Sequence, residues 1–268
     1  ARDAVGESVI CGFGADGGES DPEDTLARDC ENVVAGLAAP ALDGGGSGGG
    51  TFVTTDTTGT VPGDLSGDGT VDNEDLVTAS PETLAQVPAP QPGATVGAAP
   101  GSGTVLVRRP GSKAFVLLDP GKSVPVGSVV DARRGSVTVV AAKNLSGDKQ
   151  QATFTGGLFR VSQTRAAKGM TTVLTVRGTL ACGRTTARAA AARKRPRSRR
   201  LWGDGRGRFT TRGRNSTATV RGTIWGVTDR CGGTLTEVKR GVVAVKDFRT
   251  KKTRLVRAGG RYLARNRT

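Results

Sequence analysis

The sequence predicts an all-β fold, and three features carry the prediction. Short runs of β-branched residues recur across residues 104–264, among them Thr217 to Val220, Thr234 to Val238, Val242 to Val245 and Leu255 to Arg257. Turn signals punctuate them at Pro110-Gly111, Pro120-Gly121, Arg134-Gly135 and Gly156-Gly157. Parallel pairing needs long crossover segments, and apart from one Ala/Arg stretch none is present, so an antiparallel sandwich, a barrel or a β-helical stack is expected.

Composition limits how much of the chain can build a core. Of 268 residues, 41 are Gly and 12 are Pro, with only 4% aromatic residues, which predicts one solid domain and a looser remainder. There is no histidine. Ser-His-Asp and Cys-His nucleophile systems, His-ligated zinc and a histidine general base are therefore excluded, and an enzyme is not expected. Paired-carboxylate catalysis is disfavoured as well, because acidic residues are sparse after Gly103. No apolar run reaches the length of a membrane span. No signal peptide is seen, and Ala1 in place of an initiator Met is expected to mark a mature chain or a fragment.

The two ends are electrostatic opposites. Residues 1–100 hold 17 acidic side chains against Arg2 and Arg28, a balance of −15, while the rest holds 37 bases against seven acids, a balance of +30. A cation is the expected partner of the first part and a polyanion of the second. The four cysteines fall as Cys11 with Cys30 and Cys182 with Cys231, and neither pair has metal or redox spacing. Two structural disulfides are the simplest reading, which places the protein in a secreted or cell-surface setting. Four reduced, buried cysteines in a cytosolic protein are the alternative.

Taken in order, residues 1–35 are acidic and contain x-G-x-G-x-D at Cys11 to Asp16. With Asp21-Pro22-Glu23-Asp24-Thr25 and the closing Asp29-Cys30-Glu31-Asn32-Val33, this segment resembles the disulfide-closed end of RTX-like calcium-binding regions in secreted proteins of high-GC Gram-positive bacteria. The resemblance makes Asp16 a candidate calcium ligand. Residues 36–62 form a Gly/Thr-rich linker around the Gly44 to Gly50 run.

Residues 63–80 hold the sharpest motif. A twelve-residue calcium loop needs oxygen ligands at positions 1, 3, 5, 7, 9 and 12 and a glycine at 6, where the backbone turns sharply. Counting from Asp64, these are Asp64, Ser66, Asp68, the Thr70 carbonyl, Asp72 through water, and Asp75, with Gly69 at the turn. The pattern resembles a dockerin type I repeat, which implies calcium binding and docking onto a protein partner. A dockerin has two such loops; this chain has one, and Pro81 is expected to end the following helix early. Residues 81–103 read as a Pro/Ala/Gly linker, with a domain boundary near Gly103.

Residues 104–268 form the basic module. Its earlier strands are expected at Thr104 to Arg108, Ala114 to Leu118, Ser128 to Asp131, Val137 to Ala141, Gln151 to Phe154, Leu158 to Thr164 and Thr172 to Arg177. An Arg-rich insert at 185–200 follows, with a short helix expected from Ala187 to Arg195, stopped by Pro196. Arg193, Lys194, Arg195, Arg197, Arg199 and Arg200 make it the candidate polyanion site; a solvated loop is the plainer alternative. Trp202, Phe209 and Trp225 are assigned to the core or to turns.

The motifs Arg221-Gly222-Thr223-Ile224-Trp225-Gly226-Val227, Gly241 to Val245 and Ala258-Gly259 resemble the FecR-type extracytoplasmic domain. The likeness extends upstream to Pro125 to Asp131 and Gly135 to Val139. That family implies an all-β domain and supplies no catalytic residues. The reading expected from the sequence is a calcium-binding, non-enzymatic protein whose basic domain holds an anionic envelope polysaccharide or teichoic acid. A protein partner at the calcium loop and a nucleic acid are the alternatives.

Overall fold

Strands make up nearly all of the regular structure. The computed structural model describes Ser66, residues 73–166, 169–182, 198–220 and 222–266, with the backbone of four short strands before residue 36. Two compact units are present, Ala1–Thr55 and Asp56–Thr268. In the first, β1 (Ser8–Val9) pairs in parallel with β3 (Thr25–Leu26), and β2 (Gly17–Ser20) with β4 (Asn32–Ala35). The Cys11–Cys30 pairing and Asp16 lie outside the described residues, as do the 36–62 linker and the 187–195 helix.

The second unit begins with α1 (Pro81–Ala85), then β5 (Thr95–Arg108), β6 (Val116–Leu117), β7 (Val124–Pro125), β8 (Val129–Ala142), β9 (Lys149–Ala166) and β10 (Gly169–Val176). It continues with β11 (Ser198–Arg206), β12 (Phe209–Arg212), β13 (Ser216–Val220), β14 (Thr223–Arg230), β15 (Gly233–Arg240), β16 (Val242–Asp247), β17 (Thr253–Arg257) and β18 (Arg261–Arg265). All of these strands join one mixed sheet that nearly closes into a barrel.

Strand β9 is where the sheet divides. Residues 151–155 have partners in both β8 and β11, and residues 159–160 in both β8 and β10. A strand has two edges, so β11 and β10 share the edge opposite β8, one after the other, and from there separate into two leaves. One leaf runs β10-β12-β13-β16-β17 and the other β11-β14-β15-β18. The division falls at Gly156-Gly157. A Cβ on Gly157 would stand 2.3 Å from the Arg200 carbonyl oxygen, so only glycine lets β11 approach there. At the far side the leaves meet again: the turn after β17 bonds to β15, with Val238 N–H on the Gly260 carbonyl at 3.0 Å and Gly259 N–H on the Val238 carbonyl at 2.8 Å.

Between the leaves lies the core. Phe154, Phe159, Phe209 and Trp225 are each fully buried, with Phe154 in the centre, 5.7 to 5.9 Å from the other three rings. Trp225 also donates its indole N–H to Thr211 Oγ1 at 3.0 Å, which ties one leaf to the other. Trp202 is buried too, so the three aromatics assigned to the core are there. Cys182 and Cys231 form a disulfide with their Cα atoms 5.2 Å apart.

Several boundaries differ from the sequence expectation. Arg134-Gly135 and Gly156-Gly157 are not turns; each sits inside one long strand, β8 or β9, so two predicted strands merge in each case. Register shifts in β8 between Ala132 and Ser136, which marks a bulge, and bulges and bends use the same residues as turns. Residues 95–103, read as linker, form the first part of β5, with Ala98 and Ala99 buried. The pairing is also not wholly antiparallel. β10 and β12 run parallel, joined through residues 177–208, the stretch that holds the Ala/Arg run. Finally, Pro81 starts the helix instead of ending one. It occupies the first turn, where its missing N–H costs nothing, and Ser80 Oγ accepts the Thr83 N–H at 3.2 Å.

Candidate metal loop and polyanion face

Of the six predicted loop ligands, Ser66 and Asp75 are described, while Asp64, Asp68, Thr70 and Asp72 lie outside the described residues. The two that are described meet: the Ser66 N–H donates to Asp75 Oδ1 at 3.0 Å, bringing positions 3 and 12 of the loop together. Asp75 is 0% exposed, and a carboxylate held out of water needs donors or a cation around it. Asn73 Oδ1, between them in the loop, is buried without a hydrogen-bond partner. Among the described residues no group of three or more acidic or cysteine side chains is clustered for a metal.

The segment after the loop lies on the sheet. Ser136 Oγ donates to the Val77 carbonyl, Ala79 N–H donates to Thr138 Oγ1 at 3.0 Å, and the Thr78 and Thr153 hydroxyls are 3.1 Å apart. Strand β5 allows this only because it is small there: a Cβ on Gly101 would fall 1.9 Å from the Val77 carbonyl oxygen. Residues 77–79 and the basic module thus lie within one compact unit, Asp56–Thr268.

Arg193, Lys194, Arg195 and Arg197 lie outside the described residues. Arg199 and Arg200 lie in β11. Arg199 sends Nε and Nη2 to Asp229 Oδ2 at 3.0 and 2.8 Å and Nη1 to the Gly178 carbonyl; Arg200 donates Nε to Thr228 Oγ1 at 3.3 Å. Asp229 is fully buried and also accepts the Arg214 N–H at 2.9 Å and the Thr234 hydroxyl. Here Arg199 answers a carboxylate within the fold. Removing one member of a buried pair leaves the other uncompensated, so Arg199→Ala is expected to cost about 3 kcal/mol in urea unfolding. A loss below about 1 kcal/mol, the range of an exposed pair, would contradict this role.

Sequence reading missed another basic surface. After residue 100 the carboxylates number seven, and Asp119, Asp131, Asp204 and Asp229 are in salt bridges with Lys122, Arg133, Arg240 and Arg199. The leaf β10-β12-β13-β16-β17 contains a single carboxylate, Asp247. Burial pushes that carboxyl up, but the Thr250 N–H, the Tyr262 hydroxyl and the Arg249 N–H and charge outweigh it and hold the group below its ordinary value. Asp247 is thus ionised but hidden, 1% exposed. The outward face of this leaf carries cations without an exposed carboxylate.

Those cations are in register. Arg160 of β9 pairs with Thr175, Thr175 with Arg212, Arg212 with Thr217, Thr217 with Lys246, and Lys246 with Thr253. Arg160, Arg212 and Lys246 are exposed, and the strand between each neighbouring pair contributes a threonine. In the sequence these cations lie far apart. Their one local signal is a cation at an outward position of a Thr/Val strand, which alternation alone does not distinguish from ordinary surface charge.

Comparison of the chain with protein-family models, with curated proteins and with solved structures gives no match.

Proposed function

We propose that this chain is a non-enzymatic, secreted or cell-surface protein in which a calcium loop steadies a basic β module, and that the module binds an anionic envelope polymer. The observation that carries the reading is the uncompensated charge of one leaf. A sheet face with Arg160, Arg212 and Lys246 exposed and its one carboxylate buried attracts a polyanion. The Cys182–Cys231 disulfide supports a place outside the reducing cytosol. No helix among the described residues is long and apolar enough to cross a membrane.

Calcium enters through the residues that resemble a dockerin repeat. Asp64, Ser66, Asp68, the Thr70 carbonyl, Asp72 and Asp75 would hold it, and the closure of Ser66 on Asp75 supports that assignment. The bound ion would supply positive charge that orders the loop. Docking of the loop onto a protein partner has less support, because Val77, Thr78 and Ala79 are engaged with the sheet. The parallel pairing of β1 with β3 and β2 with β4 is compatible with a calcium-binding roll, in keeping with the RTX-like pattern.

Titration calorimetry of the full chain with calcium is expected to give a micromolar to millimolar site that is lost in Asp75→Ala. Absence of heat in the wild-type chain would remove calcium from the reading. For the module, retention on teichoic acid or heparin is expected to fall steeply with salt; retention indifferent to salt would count against polyanion binding.

A further inference from the structure

We infer that the polymer lies across the strands of the basic leaf, along the row Arg160–Thr175–Arg212–Thr217–Lys246–Thr253, and that its chemistry is a linear phosphodiester of a polyol without bases. This rests on the polyanion reading and gives it a track and a ligand class. The row crosses six hydrogen-bonded strands, so successive cations stand two strand spacings apart, about 10 Å. A hydroxyl sits between each pair, able to donate to a phosphate oxygen or to meet a polyol hydroxyl.

The guanidinium groups are positioned in advance. Arg160 places Nε on the Gly127 carbonyl at 3.1 Å, which takes one of its five donors and leaves the rest. Arg212 rests over the Phe248 ring, 5.3 Å from its centroid. Planar guanidinium forks suit phosphate, and the neighbouring row, Ser162–Val173–Thr210–Thr219–Ala244–Leu255, adds no opposing charge. Neither row contains an aromatic side chain. Single-stranded nucleic acid gains much of its affinity by stacking bases on aromatics, and the one ring beside the row, Phe248, is half-buried and already lies under the Arg212 guanidinium, whereas a base-free phosphodiester needs no such platform.

The test measures binding of the full chain to poly(ribitol phosphate) at several salt concentrations. Arg160→Gln/Arg212→Gln/Lys246→Gln is compared with Lys113→Gln/Arg134→Gln/Lys149→Gln, which removes the same charge from exposed positions off the row. The row variant is expected to lose at least tenfold in affinity and to flatten the log–log salt slope by about 2, against less than about threefold for the control. Thr217→Glu, which sets a carboxylate between Arg212 and Lys246, is expected to act like the row variant and serves if the triple variant melts early. Equal losses in both triple variants would overturn the track while polyanion binding stands. A single-stranded DNA of equal charge bound more tightly than the base-free polymer would overturn the ligand class. Failure of the wild-type chain to bind any polyanion at low salt would overturn the underlying reading.

Discussion

Replacing Phe154 with alanine is expected to destabilise the basic module by about 3–5 kcal/mol, the cost of deleting a fully buried aromatic ring. The site is unforgiving for a geometric reason. Phe154 touches Phe159 of its own strand, Phe209 of one leaf and Trp225 of the other, so the void would open where three elements converge. Collapse to fill it would require both leaves to move, and the Trp225–Thr211 hydrogen bond and the β15 seam resist that. Urea unfolding with tryptophan fluorescence as the readout checks the value. A loss under about 1 kcal/mol would mean that the leaves do not pack on this ring.

The second large effect belongs to the disulfide. Cys182 and Cys231 are 49 residues apart in sequence, and cross-linking a loop of that length restricts the unfolded chain by about 4 kcal/mol in the chain-entropy treatment. The double variant Cys182→Ser/Cys231→Ser is expected to lose an amount of that order in unfolding experiments, and reduction of the wild-type chain should reproduce most of it. If reduction leaves the unfolding midpoint unmoved, the bridge does not constrain the basic module. The bridge also lies close to the Arg199–Asp229 pair in sequence, since Asp229 and Cys231 flank Arg230 at the end of β14. Effects of combining Arg199→Ala with cysteine loss therefore need not add.

Much of the all-β architecture was legible because alternation survives in the strands: β10 reads half-buried, buried in strict alternation over its eight residues. The cysteine pair in the basic half was legible from number and spacing alone. β11 was not. Ser198-Arg199-Arg200 reads as the tail of a solvated basic run, and only Asp229, 30 residues further on, makes Arg199 part of the fold. The opening of β5 was hidden for a related reason. Ala98, Ala99 and Gly101 look like tether, yet both alanines are buried and Gly101 leaves room for the Val77 backbone, a contact made across the chain and invisible to local propensity. On the candidate site, the proposed loop ligands are read from spacing alone, while the Arg160, Arg212 and Lys246 row depends on a register set by strands distant in sequence, the parallel β10–β12 pair included.

The seam beside β15 has a bearing on how the chain matures. Residues 253–265 supply the outermost strand of each leaf, and both strands are made after all the other described strands of this sheet. Until they emerge, β15 and β16 each present an unsatisfied border, the kind of exposed rim that invites wrong partners. Sealing is thus a late, non-local event, and a nascent module halted before residue 253 would be the form most prone to self-association.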